Sequence, residues 1–258
     1  MANPALNEKT FAPERLRTLD PRKVFGAAPE QVRPATMTLE GVIARSAILF
    51  PVLLATAWLG WHSVEVTDVE VRMPGWVLPA LFVGLGVAIL TIFRPKLSPF
   101  TAPVYAAVEG LVVGAISAIY DIQFNGIVLQ AVMLTGAVFV IMLGLYGTRR
   151  IRVTDKLRST VMVATMAVMA VYAVSLIARL FGTNVPMIHD SGPVGILFSL
   201  AVVGIASFNL LLDFDMIERG VANGAPKWME WYGAFALLVT LVWLYLELLR
   251  LLSKLRSR

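Results

Sequence analysis

The stretch Gly192-Pro-Val-Gly-Ile-Leu-Phe-Ser-Leu-Ala-Val-Val-Gly-Ile-Ala-Ser-Phe-Asn209-Leu-Leu-Leu-Asp213-Phe-Asp215-Met-Ile-Glu218-Arg219-Gly220 decides the fold class. Residues 192–212 carry no charge, and roughly 20 mostly apolar residues are what a helix needs to cross a hydrocarbon core about 30 Å thick. Segments of the same kind run over 41–61, 74–93, 99–120, 126–147, 157–181 and 231–252. Composition agrees with this reading. Of the 258 residues, 58% are apolar and 15% charged, whereas a soluble domain carries about 25% charged residues; the mean hydropathy is +0.75. The chain reads as an all-α polytopic membrane protein with a bundle of seven transmembrane helices over residues 38–258. Residues 1–37 are polar, mixed in charge and interrupted by prolines, without the charged-then-apolar order of a signal peptide, and read as a mobile cytoplasmic tail.

A net charge of +5 would suggest nucleic acid for a soluble protein. Here the basic residues lie between apolar runs, where they orient the chain in a membrane, so nucleic acid is set aside as a partner. Six Lys and Arg lie in the tail, two in 94–96, five in 149–158 and two in 219–227, while the opposite loops hold Arg72 beside Glu65, Asp68, Glu70, Asp121 and Asp190. The N-terminus is therefore placed in the cytoplasm. Seven crossings put Lys254, Arg256 and Arg258 outside, against the rule; a re-entrant last segment or a cytoplasmic C-terminus are the alternatives.

Charges within the spans each need a partner, a wet cavity or an escape to the interface, because one near the bilayer centre costs on the order of 3 kcal/mol. Glu109 lies too deep in its span to escape, and is either a hydrogen-bonded packing group or an acid on an ion or proton path. Asp213 and Asp215, two apart, point about 200° apart around a helix, whereas Asp215 and Glu218 share a face. Arg45 sits one turn into the first span, level with Asp213 and Asp215, and either joins them in a latch that carboxylate protonation weakens or snorkels to the headgroups. Glu230 lies at similar depth and is the next candidate partner. Glu247 and Arg250 can satisfy each other, with Arg179 in reach, and read as structural. His62, His189 and Asp190 make a weak zinc signal. The glycine pairs Gly84 with Gly86 and Gly110 with Gly114, and Gly192, Gly195 and Gly204, read as sites of close helix packing.

With no cysteine, the chain has no disulfide, thiolate metal site, iron-sulfur cluster or cysteine nucleophile. The phosphate-loop lysine motif, HExxH, GxSxG and a dinucleotide glycine fingerprint are also missing, so no enzymatic activity and no cofactor are expected.

The seven-span plan, Tyr105-Ala-Ala-Val-Glu109-Gly-Leu-Val-Val-Gly114, Leu212-Asp-Phe-Asp215-Met-Ile and Leu246-Glu-Leu-Leu-Arg250-Leu-Leu together resemble the Bax inhibitor family. The opening Asn3-Pro-Ala-Leu-Asn7 is similar to its bacterial YccA-like branch. The resemblance implies a bundle in which the last span is central, wrapped by the other six, and a proton-sensitive calcium leak. In that mechanism an aspartate on the sixth span and one on the seventh share a proton at a cytoplasmic gate, with an arginine as a further partner. Asp215 matches the first position, with Asp213 close behind, but the second falls on or next to Thr240, which cannot share an ionisable proton. Asp213, Glu218 or Glu230 is then the candidate second acid, or gating is less acid-sensitive. The expected function is a passive cation pathway in the plasma membrane. Calcium is the permeant ion, met transiently by Glu109, Asp213 and Asp215, and Arg45 closes the cytoplasmic end. Surrounding lipid is the other expected partner. The alternative is a non-conducting regulatory membrane protein that engages a membrane protein or protease through its tail.

Overall fold

The computed structural model describes residues 36–66, 71–182 and 192–257. Residues 1–35 of the expected tail, His189 and Asp190 lie outside the described residues, as does the Arg179 side chain, while Thr36 and Met37 are held against Pro226 and Ala225, which corrects the expectation of a mobile tail at these two residues. The described part comprises α1 (Leu39–His62), a short hairpin of β1 (Glu65–Val66) and β2 (Val71–Arg72), α2 (Val77–Phe93), a 3-10 turn (Pro95–Leu97), α3 (Ser98–Gln123), α4 (Ile127–Gly147), α5 (Asp155–Leu180), α6 (Pro193–Ala222) and α7 (Met229–Arg256). Each expected span is a helix. Six of them are long and apolar enough to cross a membrane, while α2 is shorter at 17 residues.

The helix ends show why these segments begin where they do. Thr38 caps α1, its Oγ1 accepting from Gly41 N at 3.0 Å. Gly126 opens α4 at φ 75°, a left-handed conformation that a side chain disfavours. Its N–H donates to Asp121 Oδ1 at 3.0 Å, so Asp121 shapes the α3–α4 turn.

α7 is the central helix. On one side Phe235, Leu238, Val242 and Leu249 pack with Leu49 and Leu53 of α1 and Tyr105, Ala106 and Val113 of α3. On the other, Leu244 and Leu248 pack with Met142 of α4 and Leu210, Leu211 and Phe214 of α6. α5 lies against α6 and reaches α7 through Tyr172, and α2 lies on α3. Apolar side chains that look outward, such as Leu54, Phe82, Ile89, Met133, Val140 and Met166, form a surface that water would not tolerate and lipid covers.

α1 and α3 run parallel and in close contact, and glycine makes this possible. A Cβ at Gly110 would strike Thr56 Oγ1 and the Leu53 carbonyl, and one at Gly114 the Ala57 carbonyl. The Gly110 and Gly114 pair is thus a packing seam, as is Gly60 against Leu111. Gly86 and Gly204 face open space, so the expectation of close packing at these two positions is corrected.

The last helix runs the length of the bundle, which corrects the re-entrant alternative. At its start, Glu230 meets Thr38 of α1, and Ser98 Oγ donates to the Trp228 carbonyl at 3.2 Å. At its end, Arg256 donates to the Phe124 and Asn125 carbonyls at 3.1 and 2.8 Å and to Gln130 Oε1 at 2.9 Å, which places it at the α3–α4 turn. Lys254 is buried, donating to the Gly195 carbonyl at 3.0 Å and Ser199 Oγ at 2.9 Å. Two of the three cations that offended the charge rule are thus committed to partners in the protein, Lys254 in its interior and Arg256 on its surface, where they are poor guides to orientation.

Candidate functional site

The sixth helix delivers its three acids to one end of the bundle in three directions, as helical geometry requires. Asp213 points toward α7, where the Thr240 side chain lies beside its carboxylate and Tyr232 is within electrostatic range. One carboxylate oxygen, Oδ2, is buried with no hydrogen-bond partner among the described residues. An acid held in this way needs a proton, a water or a cation at that oxygen. Thr240 therefore sits opposite an acid of α6, but the acid is Asp213 rather than Asp215.

Asp215 points the other way, toward α5. Arg158 of α5 forms an ion pair with it, and Arg219, one turn along α6, places Nε 2.9 Å from Oδ2. The α5–α6 contact has few other polar links, so Asp215 and Arg158 act as its clasp. Glu218 accepts from Tyr146 Oη and pairs with Arg149, both at the end of α4. A second Arg149 bond measures 3.1 Å, and the guanidinium lies over the Tyr146 ring. Hydrogen bonding to Glu218 raises the Arg149 pKa above its ordinary value. Arg158, Tyr146 and Arg149 were not assigned to these acids from sequence. The five basic residues in 149–158 served there as an orientation signal, although two of them are specific partners.

Arg45 does not meet Asp213 or Asp215. It pairs with Glu230 at 3.7 Å and lies over the Trp231 ring at 5.1 Å. Counting along a helix gives a level but no direction: Arg45 of α1 meets the start of α7, and α6 presents its acids to other neighbours. Glu230 is 1% exposed and also accepts from Thr38 N and Oγ1 at 3.2 and 3.1 Å, filling the space that a side chain at Gly41 would need. As candidate second acids, Glu218 and Glu230 are thus committed to Arg149 and Arg45, away from Asp213.

Glu109 lies apart from these groups, half-buried on α3, with Oε2 3.3 Å from where a Gly84 Cβ would stand on α2. Among the described residues it forms no ion pair. Toward the opposite end, Glu247 accepts from Tyr172 Oη at 2.7 Å and from Arg250 at 3.0 and 3.2 Å, while Arg250 also donates to Tyr172 Oη at 2.6 Å and stacks on its ring at 4.8 Å. This closed triad ties α7 to α5. His62 Nδ1 bonds the Trp58 carbonyl at 2.9 Å, and no cluster of metal-ligating side chains occurs among the described residues.

A sequence model of the family described as Bax inhibitor 1 like matches residues 3–257, nearly the whole chain. The chain belongs to the Bax inhibitor family. No curated protein matches it. The seven helices and the central α7 of the structure agree with what the resemblance to this family implied. Membership also makes the Thr240 position notable, since the resemblance implied a second aspartate there. In this member of the family a hydroxyl faces the acid of α6.

Proposed function

We propose that this protein is a passive cation leak pathway, with calcium as the permeant ion and no enzymatic step. The supporting observation is Asp213, whose unpartnered Oδ2 lies between α6 and the central helix. A hard carboxylate oxygen suits calcium, and Glu109, on the face of α3 that meets α2, supplies a second acid with no ion pair among the described residues. In this reading the N-terminus is cytoplasmic and the membrane is the plasma membrane, following the distribution of basic loops.

Asp215 and Arg158 form the cytoplasmic clasp. Removing the Asp215 charge takes away what Arg158 meets, which loosens α5 from α6 and raises flux. Arg45 acts on Glu230 rather than on this clasp, holding α1 to α7. The test is calcium entry into proteoliposomes at pH 6 and pH 8 for the native chain, Asp213→Asn and Asp215→Asn. Asp213→Asn should reduce flux at both pH values, and Asp215→Asn, which keeps the side-chain shape and removes the charge, should raise flux at both. Flux no greater than in empty liposomes would reject the leak.

The second reading is a regulatory protein that binds a membrane-protein or protease partner through its tail. It is favoured by the fixed point from which the tail departs. Met37 is buried, its N–H donates to the Ala225 carbonyl at 2.7 Å, and Thr36 bridges Pro226. Deleting residues 1–35 separates the two readings, since a leak keeps its flux and a tail-dependent regulator loses its partner.

A further inference from the structure

Between α1 and α4 the bundle is open toward the membrane, and α3 and α7 form the floor of a cavity of about 590 Å³. Its walls include Leu54 and Trp58 of α1, Val132 and Gly136 of α4, and Val242 and Tyr245 of α7. The polar groups on its floor, Ser117 and Tyr245, bond each other at 2.6 Å and leave an apolar surface. The cavity has the size of a small-molecule site.

Three observations identify what fills it. First, the mouth is continuous with the lipid-facing surface, since Leu54, Trp58, Val132 and Met133 beside it are exposed, so its occupant comes from the hydrocarbon phase. Second, the lining runs along α1 from Phe50 to His62, about 18 Å of helix. That is close to the depth of one leaflet, half of a core about 30 Å thick. Third, Trp58, Trp61 and His62 line the end nearest the close of α1, with the Trp58 and His62 rings 4.4 Å apart, and aromatic residues of this kind settle at the headgroup level.

We infer that this cavity is a binding site for one acyl chain of a membrane phospholipid, entering laterally between α1 and α4 and resting against the central helix. Leu241 and Val242, next to Thr240, form part of the inner wall. A seated chain therefore touches the helix that faces Asp213 and fixes the spacing of α1 and α4.

The test uses vesicles in which a fraction of the phosphatidylcholine carries a mid-chain diazirine, with labelled residues mapped after illumination. Val242 and Tyr245 are enclosed on the central helix, so a label on either requires a chain inside the cavity. The expected result is labelling of both, lost in Gly136→Trp, whose side chain would enter the cavity from a position with no atom near its Cβ. Gly144→Trp, also unobstructed on α4 but outside the cavity, should keep the label. Labels on the outward faces of α2 and α5 should be equal in all three proteins and report that each is folded in the bilayer. Absence of label on Val242 and Tyr245 in the native chain overturns the inference. So does label that survives Gly136→Trp, or crosslinks joining two copies through the cavity.

Discussion

Glu230 and Gly41 are bound by one volume, and a double-mutant cycle can read that bond. At 3.7 Å the attraction between Glu230 and Arg45 is about 4 kcal/mol at an effective dielectric constant near 20, before desolvation is subtracted. Arg45 keeps 28% of its side chain exposed, so the net worth of the pair is about 2 kcal/mol. The two bonds that Glu230 accepts from Thr38 contribute about 1 kcal/mol more. Glu230→Ala should therefore cost about 3 kcal/mol. Gly41→Ala alone should cost about 1–3 kcal/mol by overpacking, because the new methyl meets the Glu230 carboxylate. With Glu230→Ala already present the carboxylate is gone, and Gly41→Ala becomes neutral or gains up to about 1 kcal/mol of helix propensity. The coupling is then about 2 kcal/mol, readable by reversible unfolding of the four proteins in mixed micelles. Additivity within about 0.5 kcal/mol would refute the shared volume.

Arg158→Ala should raise calcium flux at pH 8 and weaken the α5–α6 contact by about 1–2 kcal/mol, whereas Arg219→Ala, which removes a pair within one helix, should change flux little; the proteoliposome assay compares them. Gly114→Val should lower stability by about 3 kcal/mol through the α1–α3 seam, while Gly86→Val should change it by less than about 0.5 kcal/mol; thermal unfolding in detergent distinguishes the two. Because the chain has no cysteine, single substitutions can map its sidedness without background. A membrane-impermeant maleimide should reach Ser63→Cys and Ser257→Cys from one side and Arg152→Cys and Lys227→Cys from the other.

The helices were legible because an apolar run of about 20 residues has few other fates. The central place of α7 came from the resemblance. In the sequence its apolar residues run all around the helix, as a helix packed on two sides requires. Partner choice was less legible. Counting rise along a helix gives depth, so Arg45, Glu230, Asp213 and Asp215 were placed at one level, but pairing depends on which helices are neighbours and how each is rotated. That information lies in contacts such as Gly41 against Glu230 and Gly110 against Thr56, far apart in the chain. The 200° between Asp213 and Asp215 could be read from spacing alone, and the structure gives them to α7 and α5 respectively. The partners of Lys254 had no local signal, since its burial depends on where Gly195 and Ser199 come to lie.

The short second helix has its own consequence for the surrounding bilayer. Seventeen residues rise about 25 Å, less than an average hydrocarbon core about 30 Å thick. Lipid beside α2 must therefore thin by a few ångströms or draw polar headgroups and water inward. Glu109 stands against Gly84 in the middle of that helix, so this acid lies nearer to water than its distance from the ends of α3 implies. Hydrophobic mismatch at α2 makes membrane thickness a variable that sets how well Glu109 is solvated.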